Sequence, residues 1–101
     1  MRILLDLDDT VIIRGNLHPQ FARFQDWAKK GGHHVIVWSC HDDGQVIAQL
    51  MGFDYRDKES HVKPIADVLI DDHCQEFEKL CTVNSTCSTL DGFLKLVKNG
   101  V

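Results

Sequence analysis

The stretch Ile3-Leu4-Leu5-Asp6-Leu7-Asp8-Asp9-Thr10 decides the fold of this chain. Residues 2–7 form an apolar run that ends in acids and is too short for a helix, which is typical of a buried strand. Two later runs repeat the arrangement: residues 34–39 end in Ser39, and residues 66–70 are followed by Asp71 and Asp72. We therefore expect three buried strands, each leading into polar side chains.

Helical patterns separate these strands. A first helix is predicted after Pro19, because apolar residues recur at helical spacing until two glycines stop it (Phe21, Phe24, Trp27, Ala28; Gly31, Gly32). A second has its apolar face at Val46, Ile47, Leu50 and Met51 and ends at Gly52. Residues 53–55 suggest a short edge strand, and a short helix is expected around Phe77 and Leu80. Residues 82–84 suggest a final strand. The last predicted helix carries Leu90, Phe93, Leu94 and Val97.

Strands that alternate with helices predict an α/β fold. We expect one domain over residues 1–101, with a mainly parallel sheet, right-handed crossovers and helices on both faces, in a three-layer Rossmann-like arrangement. Such folds bind ligands beyond the carboxyl ends of their strands.

Composition narrows the function classes. The 101 residues are enough for one core, and their 44% hydrophobic and 26% charged content is that of an ordinary globular protein. A net charge of −4 disfavours a broad nucleic-acid footprint. The first apolar run is too short for a signal peptide or a membrane span, and four cysteines without C-x-x-C spacing indicate reduced thiols. We expect a cytoplasmic protein without a membrane partner.

The acids at the strand ends predict a metal site. Asp6, Asp8 and Thr10 follow the first strand, Ser39 ends the second, and Asp71 and Asp72 follow the third, so a parallel sheet brings them to one rim. Clustered carboxylates repel one another unless a cation neutralises them. Magnesium prefers a few carboxylates together with substrate phosphate oxygens, so this rim indicates phosphate chemistry.

These motifs resemble those of the haloacid dehalogenase-like superfamily of phosphohydrolases. The first motif of that family is an apolar strand followed by Asp-x-Asp-x-Thr, its second is a strand ending in Ser or Thr, and its fourth is a strand ending in paired acids. All three occur here in order, over about three-quarters of the chain. The spacing of Lys63 before Asp71 looks most like small capless members and the deoxyribonucleotidase-like branch, and too few residues follow Thr10 or Ser39 to build a cap domain.

The resemblance implies a magnesium-dependent phosphomonoester hydrolase with an aspartyl-phosphate intermediate. In that reading Asp6 attacks phosphorus, and Asp8 protonates the leaving oxygen and later activates water. Thr10 and Ser39 hydrogen-bond the nucleophile or a phosphoryl oxygen, and Lys63 neutralises transition-state charge, with Lys58 as its rival. Magnesium would be held by Asp6, the backbone carbonyl of Asp8 and Asp72, with Asp71 orienting the site or binding the metal through water.

Other readings of the same residues stay open. The substrate could be a phosphorylated small molecule or a macromolecule, including a nucleic-acid end, although the acidic balance disfavours nucleic acid. A non-catalytic metal- or phosphoprotein-binding module could keep the same fold, and a homo-oligomer is compatible with the sequence. A zinc site could form from Cys40, His41, His73 and Cys74, but we favour buried thiols and histidines at the rim.

Overall fold

The computed structural model describes residues 1–98, and the helices and strands within that range confirm an α/β domain. The strands are β1 (Arg2–Leu5), β2 (Ile12–Ile13), β3 (Asn16–Leu17), β4 (His34–Ser39), β5 (Asp54–Asp57), β6 (Val68–Ile70) and β7 (Ser85–Cys87). The helices are α1 (Phe21–Lys30), α2 (Gly44–Met51), α3 (Cys74–Phe77), a 3-10 turn (Glu78–Leu80) and α4 (Leu90–Lys98). None of these helices is long and apolar enough to cross a membrane.

Five of the strands described in residues 1–98 form one parallel sheet in the order β5-β4-β1-β6-β7. The first strand of the chain is therefore central, and Leu5 pairs with Val37 on one side and Ile70 on the other. Strands β4 and β5 lie on one side of β1, and the later strands β6 and β7 lie on its other side. The carboxyl end of β1 thus lies where the order of strands reverses, the place where sheets of this kind leave a crevice.

Alternate residues of β1 belong to different hydrophobic clusters. Ile3 and Leu5 pack in a cluster that includes buried residues of α1, α2 and α4 (among them Phe24, Ala48 and Phe93). Leu4 packs in a smaller cluster with Ile36, Trp38, Ala66, Leu69 and Cys81, against which Phe77 of α3 lies. Every residue from Ile3 to Leu5 is fully buried, so the central strand is uniformly apolar because it has no solvent-facing side.

Several boundaries differ from the sequence-based expectation. β1 stops at Leu5, β5 extends to Asp57, and the final strand lies at Ser85–Cys87 rather than at residues 82–84. Thr82 makes only an isolated bridge to Ile65, whereas residues 85–87 form the ladder with β6. In the second helix, Val46 and Leu50 are exposed instead of buried.

A small hairpin between Thr10 and Pro19 was not predicted. Its strands β2 and β3 pair Ile12 with Leu17 and Ile13 with Asn16. The two residues between them, Arg14 and Gly15, both have positive φ (53° and 79°), as a two-residue type I′ turn requires. The signal was easily missed because Arg-Gly is a less typical pair for this turn than Asn-Gly or Asp-Gly.

Candidate active site

The carboxyl edge of the sheet concentrates the buried polar groups of the molecule. Asp6, Thr10, Ser39 and Asp71 are the polar or charged residues that are buried within residues 1–98, and each follows or ends one of the three central strands or lies in the turn after β1. Asp71 is fully buried and Asp6 is only 6% exposed. The expected convergence of these four residues at one rim is therefore present.

A tight turn after β1 folds Thr10 back onto Asp6. The carbonyl of Leu7 accepts hydrogen bonds from the N–H groups of Thr10, Val11 and Ile12 (3.2, 2.9 and 2.8 Å), and Asp9 adopts a left-handed conformation (φ 63°) within the turn. As a result, the Thr10 hydroxyl lies 3.1 Å from Asp6 Oδ2. The turn sets the position of the carboxylate of Asp6 through this neighbour.

The same hydroxyl connects β1 to β6. Thr10 Oγ1 accepts a hydrogen bond from the backbone N–H of Asp72 (3.1 Å) and lies 3.3 Å from Asp72 Oδ1. Because a hydroxyl has a single proton, Thr10 donates to either Asp6 or Asp72 at any instant. Thr10 therefore holds two carboxylates from different strands in one constellation.

A buried lysine completes the cluster. Lys58 Nζ lies 2.9 Å from Asp6 Oδ1 and 2.7 Å from Asp71 Oδ2, and its side chain is 5% exposed. Burial alone would lower the pKa of Lys58, but its contacts with Asp71 and Asp6 outweigh burial and raise that pKa above its ordinary value. The Phe77 ring centroid is 3.9 Å from the ammonium, a cation–π contact. Lys58 is therefore a fixed cation at this site.

The cluster contains Lys58 and not Lys63, contrary to the preferred sequence interpretation. Lys63 is exposed. The reason is topological: β5 is parallel to β4 and its last residue, Asp57, pairs with Ser39, so the chain leaves β5 at the carboxyl edge. Lys58 stands at that point, and its N–H donates to the Ser39 carbonyl (3.2 Å). The chain must then return toward the amino end of β6, which moves Lys63 away from the cluster despite its proximity in sequence.

Asp8 and Ser39 line the same cleft without touching Asp6. The side chain of Asp8 is 62% exposed, and its Oδ1 lies 3.9 Å from His41 Nε2. Ser39 Oγ accepts the backbone N–H of His41 at 2.9 Å. His73 lies on the other side, with Nε2 3.4 Å from Asp72 Oδ2. Both histidines thus lie at the rim, as the sequence suggested.

The cleft is lined by more acidic than basic side chains. Its volume is about 220 Å³, and five aspartates (Asp6, Asp8, Asp9, Asp71, Asp72) line it together with Lys58. Burial raises the pKa of Asp6 to about 7; Lys58 opposes that rise and the nearby charge of Asp71 adds to it. Burial thus favours the protonated form of Asp6, and the excess of carboxylates would repel an anionic ligand.

The carboxylates fit a hard divalent cation. Ligand oxygens of Asp6, Asp71 and Asp72 lie within 4.8 Å of one another, and carboxylate oxygens are the donors that magnesium prefers. In residues 1–98 this is the one group of three or more acidic, histidine or cysteine side chains that converges in this way. Cys40, His41, His73 and Cys74 therefore do not form the zinc set considered from the sequence. The side chain of Asp8 is outside the carboxylate group, so any contribution from Asp8 would have to come from its backbone.

Comparison of the chain with protein-family models, with curated proteins and with solved structures finds no match. The geometry of this edge is therefore the basis for inferring a function.

Proposed function

We propose that this protein is a magnesium-dependent phosphomonoester hydrolase that forms an aspartyl-phosphate on Asp6. We further propose that its domain is a three-layer, capless member of the haloacid dehalogenase-like superfamily. The observation that carries the proposal is the environment of Asp6: one carboxylate oxygen is held by Lys58, the other by Thr10, and two further aspartates stand beside it at a strand-order reversal. If these aspartates only capped the turns that follow the strands, a lysine buried against two of them would not be required.

Nucleophilic attack by Asp6 requires an ionised and oriented carboxylate. The contacts from Lys58 and Thr10 leave little rotational freedom to the side chain, which reduces the entropy lost on reaching the transition state. Asp6, Asp71 and Asp72 would hold magnesium, with the Asp8 carbonyl as a further oxygen donor. When bound, magnesium supplies positive charge that offsets the repulsion between carboxylate and phosphate.

Proton transfer is assigned to Asp8. Its exposed side chain lies in the cleft and is free of the ion pairs that fix Asp6 and Asp71. As Asp6 forms the bond to phosphorus, Asp8 gives its proton to the departing alkoxide oxygen, so the alcohol leaves neutral. Asp8 then accepts a proton from water as the water attacks the phosphorus, which releases phosphate and restores the Asp6 carboxylate.

Lys58 and Ser39 are assigned to the phosphoryl group. Lys58 supplies a fixed positive charge close to the nucleophile, and fixed charge stabilises the developing negative charge of the transition state better than water does. Ser39 is 1% exposed and lines the cleft, so its hydroxyl can donate to a phosphoryl oxygen. Lys63 has no part in this step.

The deciding experiment is hydrolysis of a phosphomonoester panel with magnesium, with and without excess chelator. Asp6→Asn should abolish turnover, while Asp54→Asn, a matched change at an exposed residue of β5, should not. A rapid quench with borohydride should trap the acyl phosphate on Asp6 in the wild type alone. Metal binding by a folded wild-type protein without any turnover on the panel would instead identify a non-catalytic binding module.

A further inference from the structure

A second pocket adjoins the candidate active site and has the opposite charge. It has a volume of about 310 Å³ and is lined by Lys58, Ser60, His61, Lys63, Lys79 and Leu80. None of these lining residues is acidic, whereas the neighbouring cleft is lined by five aspartates. Lys58 lines both pockets. In a chain of net charge −4, such a local cluster of basic groups is unexpected from composition.

Two of the three lysines that line this pocket, Lys63 and Lys79, differ in their pairing from Lys58, which contacts Asp6 and Asp71. In the described part of the chain, neither Lys63 nor Lys79 has a carboxylate oxygen within 4.0 Å of its ammonium. Two like charges that line one pocket repel each other, and an anion between them would relieve that repulsion. The acids that neighbour this segment in sequence, Glu59 and Glu78, do not line the pocket.

Backbone hydrogen bonds join the two segments that carry Lys63 and Lys79. Pro64 follows Lys63, and its carbonyl accepts the N–H of Thr82 at 2.8 Å; the N–H of Ala66 then donates to the Thr82 carbonyl at 2.9 Å. This bridge ties the segment after β5 to the segment that follows the 3-10 turn carrying Lys79. The two lysines are thus carried by segments that are hydrogen-bonded to each other, which lowers the entropy cost of placing them around one ligand.

We propose that this pocket is a subsite for a second phosphate group of the substrate. The inference rests on the proposed function and specifies its substrate class: a phosphomonoester that carries another phosphate group besides the scissile one. The scissile group would occupy the cleft at Asp6, and the second would lie between Lys63 and Lys79. That second phosphate can belong to a small bisphosphate or to the first phosphodiester of a nucleic-acid end, and both present the same anionic group.

The test compares kcat/KM for substrates that carry a second phosphate group with kcat/KM for substrates that lack it. In one arm, α,ω-alkanediol bisphosphates of increasing length are compared with the matching alkyl monophosphates. In the other, short oligonucleotides with a terminal phosphate are compared with nucleoside monophosphates. We expect a preference of about ten-fold or more for the doubly charged partner in at least one arm, since charge-assisted contacts contribute on that order. A preference confined to the oligonucleotide arm, and weakened by salt, identifies nucleic acid as the source.

Variants assign the preference to the pocket. The double substitution Lys63→Ala with Lys79→Ala should bring the ratio of the two kcat/KM values close to one. The matched pair Lys29→Ala with Lys95→Ala removes two exposed lysines from α1 and α4 and should leave the ratio as in the wild type. A wild-type ratio near one in both arms, or a ratio that survives the Lys63 and Lys79 changes, overturns the subsite.

Measurements of ligand binding distinguish failure of the subsite proposal from failure of the proposed function. If no phosphomonoester is hydrolysed, calorimetric titration of wild-type protein with an alkanediol bisphosphonate and with the matching monophosphonate still measures the subsite. Tighter binding of the bisphosphonate that disappears in the Lys63 and Lys79 double variant supports the subsite without any turnover. Equal affinities for the two ligands overturn it.

Discussion

The two edges of the central sheet carry the same kinds of side chain in opposite environments. At the amino edge, His34 pairs with Asp54, and both side chains are largely exposed. Also at that edge, Asp67 accepts a hydrogen bond from the backbone N–H of Arg2 at 2.7 Å. At the carboxyl edge, Asp6, Asp71 and Lys58 are paired through side chains that are at most 9% exposed.

The difference between the edges is one of free energy. Exposed pairs contribute about 0–1 kcal/mol, because water screens them and competes for their hydrogen bonds. A buried cluster with more carboxylates than cations pays a desolvation cost that apolar residues would avoid. The carboxyl edge therefore keeps an arrangement that is unfavourable for stability, and chemistry at Asp6 would account for it.

The largest effect should follow substitution of Asp6, the proposed nucleophile. Asp6→Asn is expected to lower kcat for phosphomonoester hydrolysis by about 10³-fold or more, or roughly 4 kcal/mol, because an amide cannot form the acyl phosphate. Asp54→Asn at the amino edge should change kcat by less than about two-fold. Steady-state assays with magnesium measure both, and circular dichroism checks the fold. A folded Asp6→Asn variant that keeps a tenth of the wild-type rate would contradict the mechanism.

The next effect concerns the buried lysine. Lys58→Ala removes the cation that separates Asp6 from Asp71, and we expect kcat to fall by about 10²-fold on small phosphomonoesters. Lys30→Ala is the control, since Lys30 forms only an exposed pair with Asp26. Lys63→Ala should cost much less than Lys58→Ala on these substrates. The reverse order of losses would show that the lysine in contact with Asp6 is not the one used in the reaction.

A smaller effect should appear in the pH dependence of stability without metal. The pKa of Asp6 is raised to about 7 in the folded state, against an ordinary 3.8, so the folded protein binds more protons between these values. Its contribution to stability is therefore complete below about pH 4 and is lost as pH rises through about 7, by an amount on the order of 1–4 kcal/mol.

Urea unfolding in chelator across this pH range measures that loss. In Asp6→Asn the decline between pH 4 and 7 should be much shallower, and magnesium should restore the stability of the wild type at pH 8 more than that of the variant. Equal pH profiles for the two proteins would mean that Asp6 is ionised throughout this range and that the lysine compensates fully for its burial.

The smallest effect is expected at the amino edge. Asp54→Asn removes the exposed pair with His34, and the free energy of unfolding at pH 6 should change by no more than about 0.5 kcal/mol. Unfolding in urea at low and at high salt tests this, because any contribution should be screened. A loss of stability as large as the one expected when Asp6 ionises would mean that the two edges do not differ in this respect.

The sequence was sufficient for the general plan of the fold and for most of the acidic cluster. Apolar runs ending at Asp6, Ser39 and Asp71 required a buried parallel sheet, and parallel strands bring their carboxyl ends together whatever their order. The convergence of these residues with Thr10 follows from that geometry alone. It does not depend on the exact ends of the strands, which were the least accurate part of the prediction.

The features that the sequence did not predict depend on the course of the chain between strands and on the packing of helices against the sheet. The choice between Lys58 and Lys63 required knowing that β5 is parallel and ends beside Ser39. The close approach of α2 to β5 is another such feature: Gly44 lies so close to Tyr55 that an added Cβ would be 2.6 Å from its ring. Neither fact is present in local patterns, because each depends on where a neighbouring strand runs.

The central position of β1 also has a consequence for how the chain acquires its shape. Within residues 1–98, β1 precedes the segments with which it pairs, residues 34–37 and 68–70, so it can pair only once those segments have been synthesised. Pairings of such sequence separation form slowly, since long loops must close before any contact is gained. During synthesis on a ribosome, the apolar β1 therefore stays unpaired until later segments emerge, and Asp6 meets Asp71 only when the fold is nearly complete.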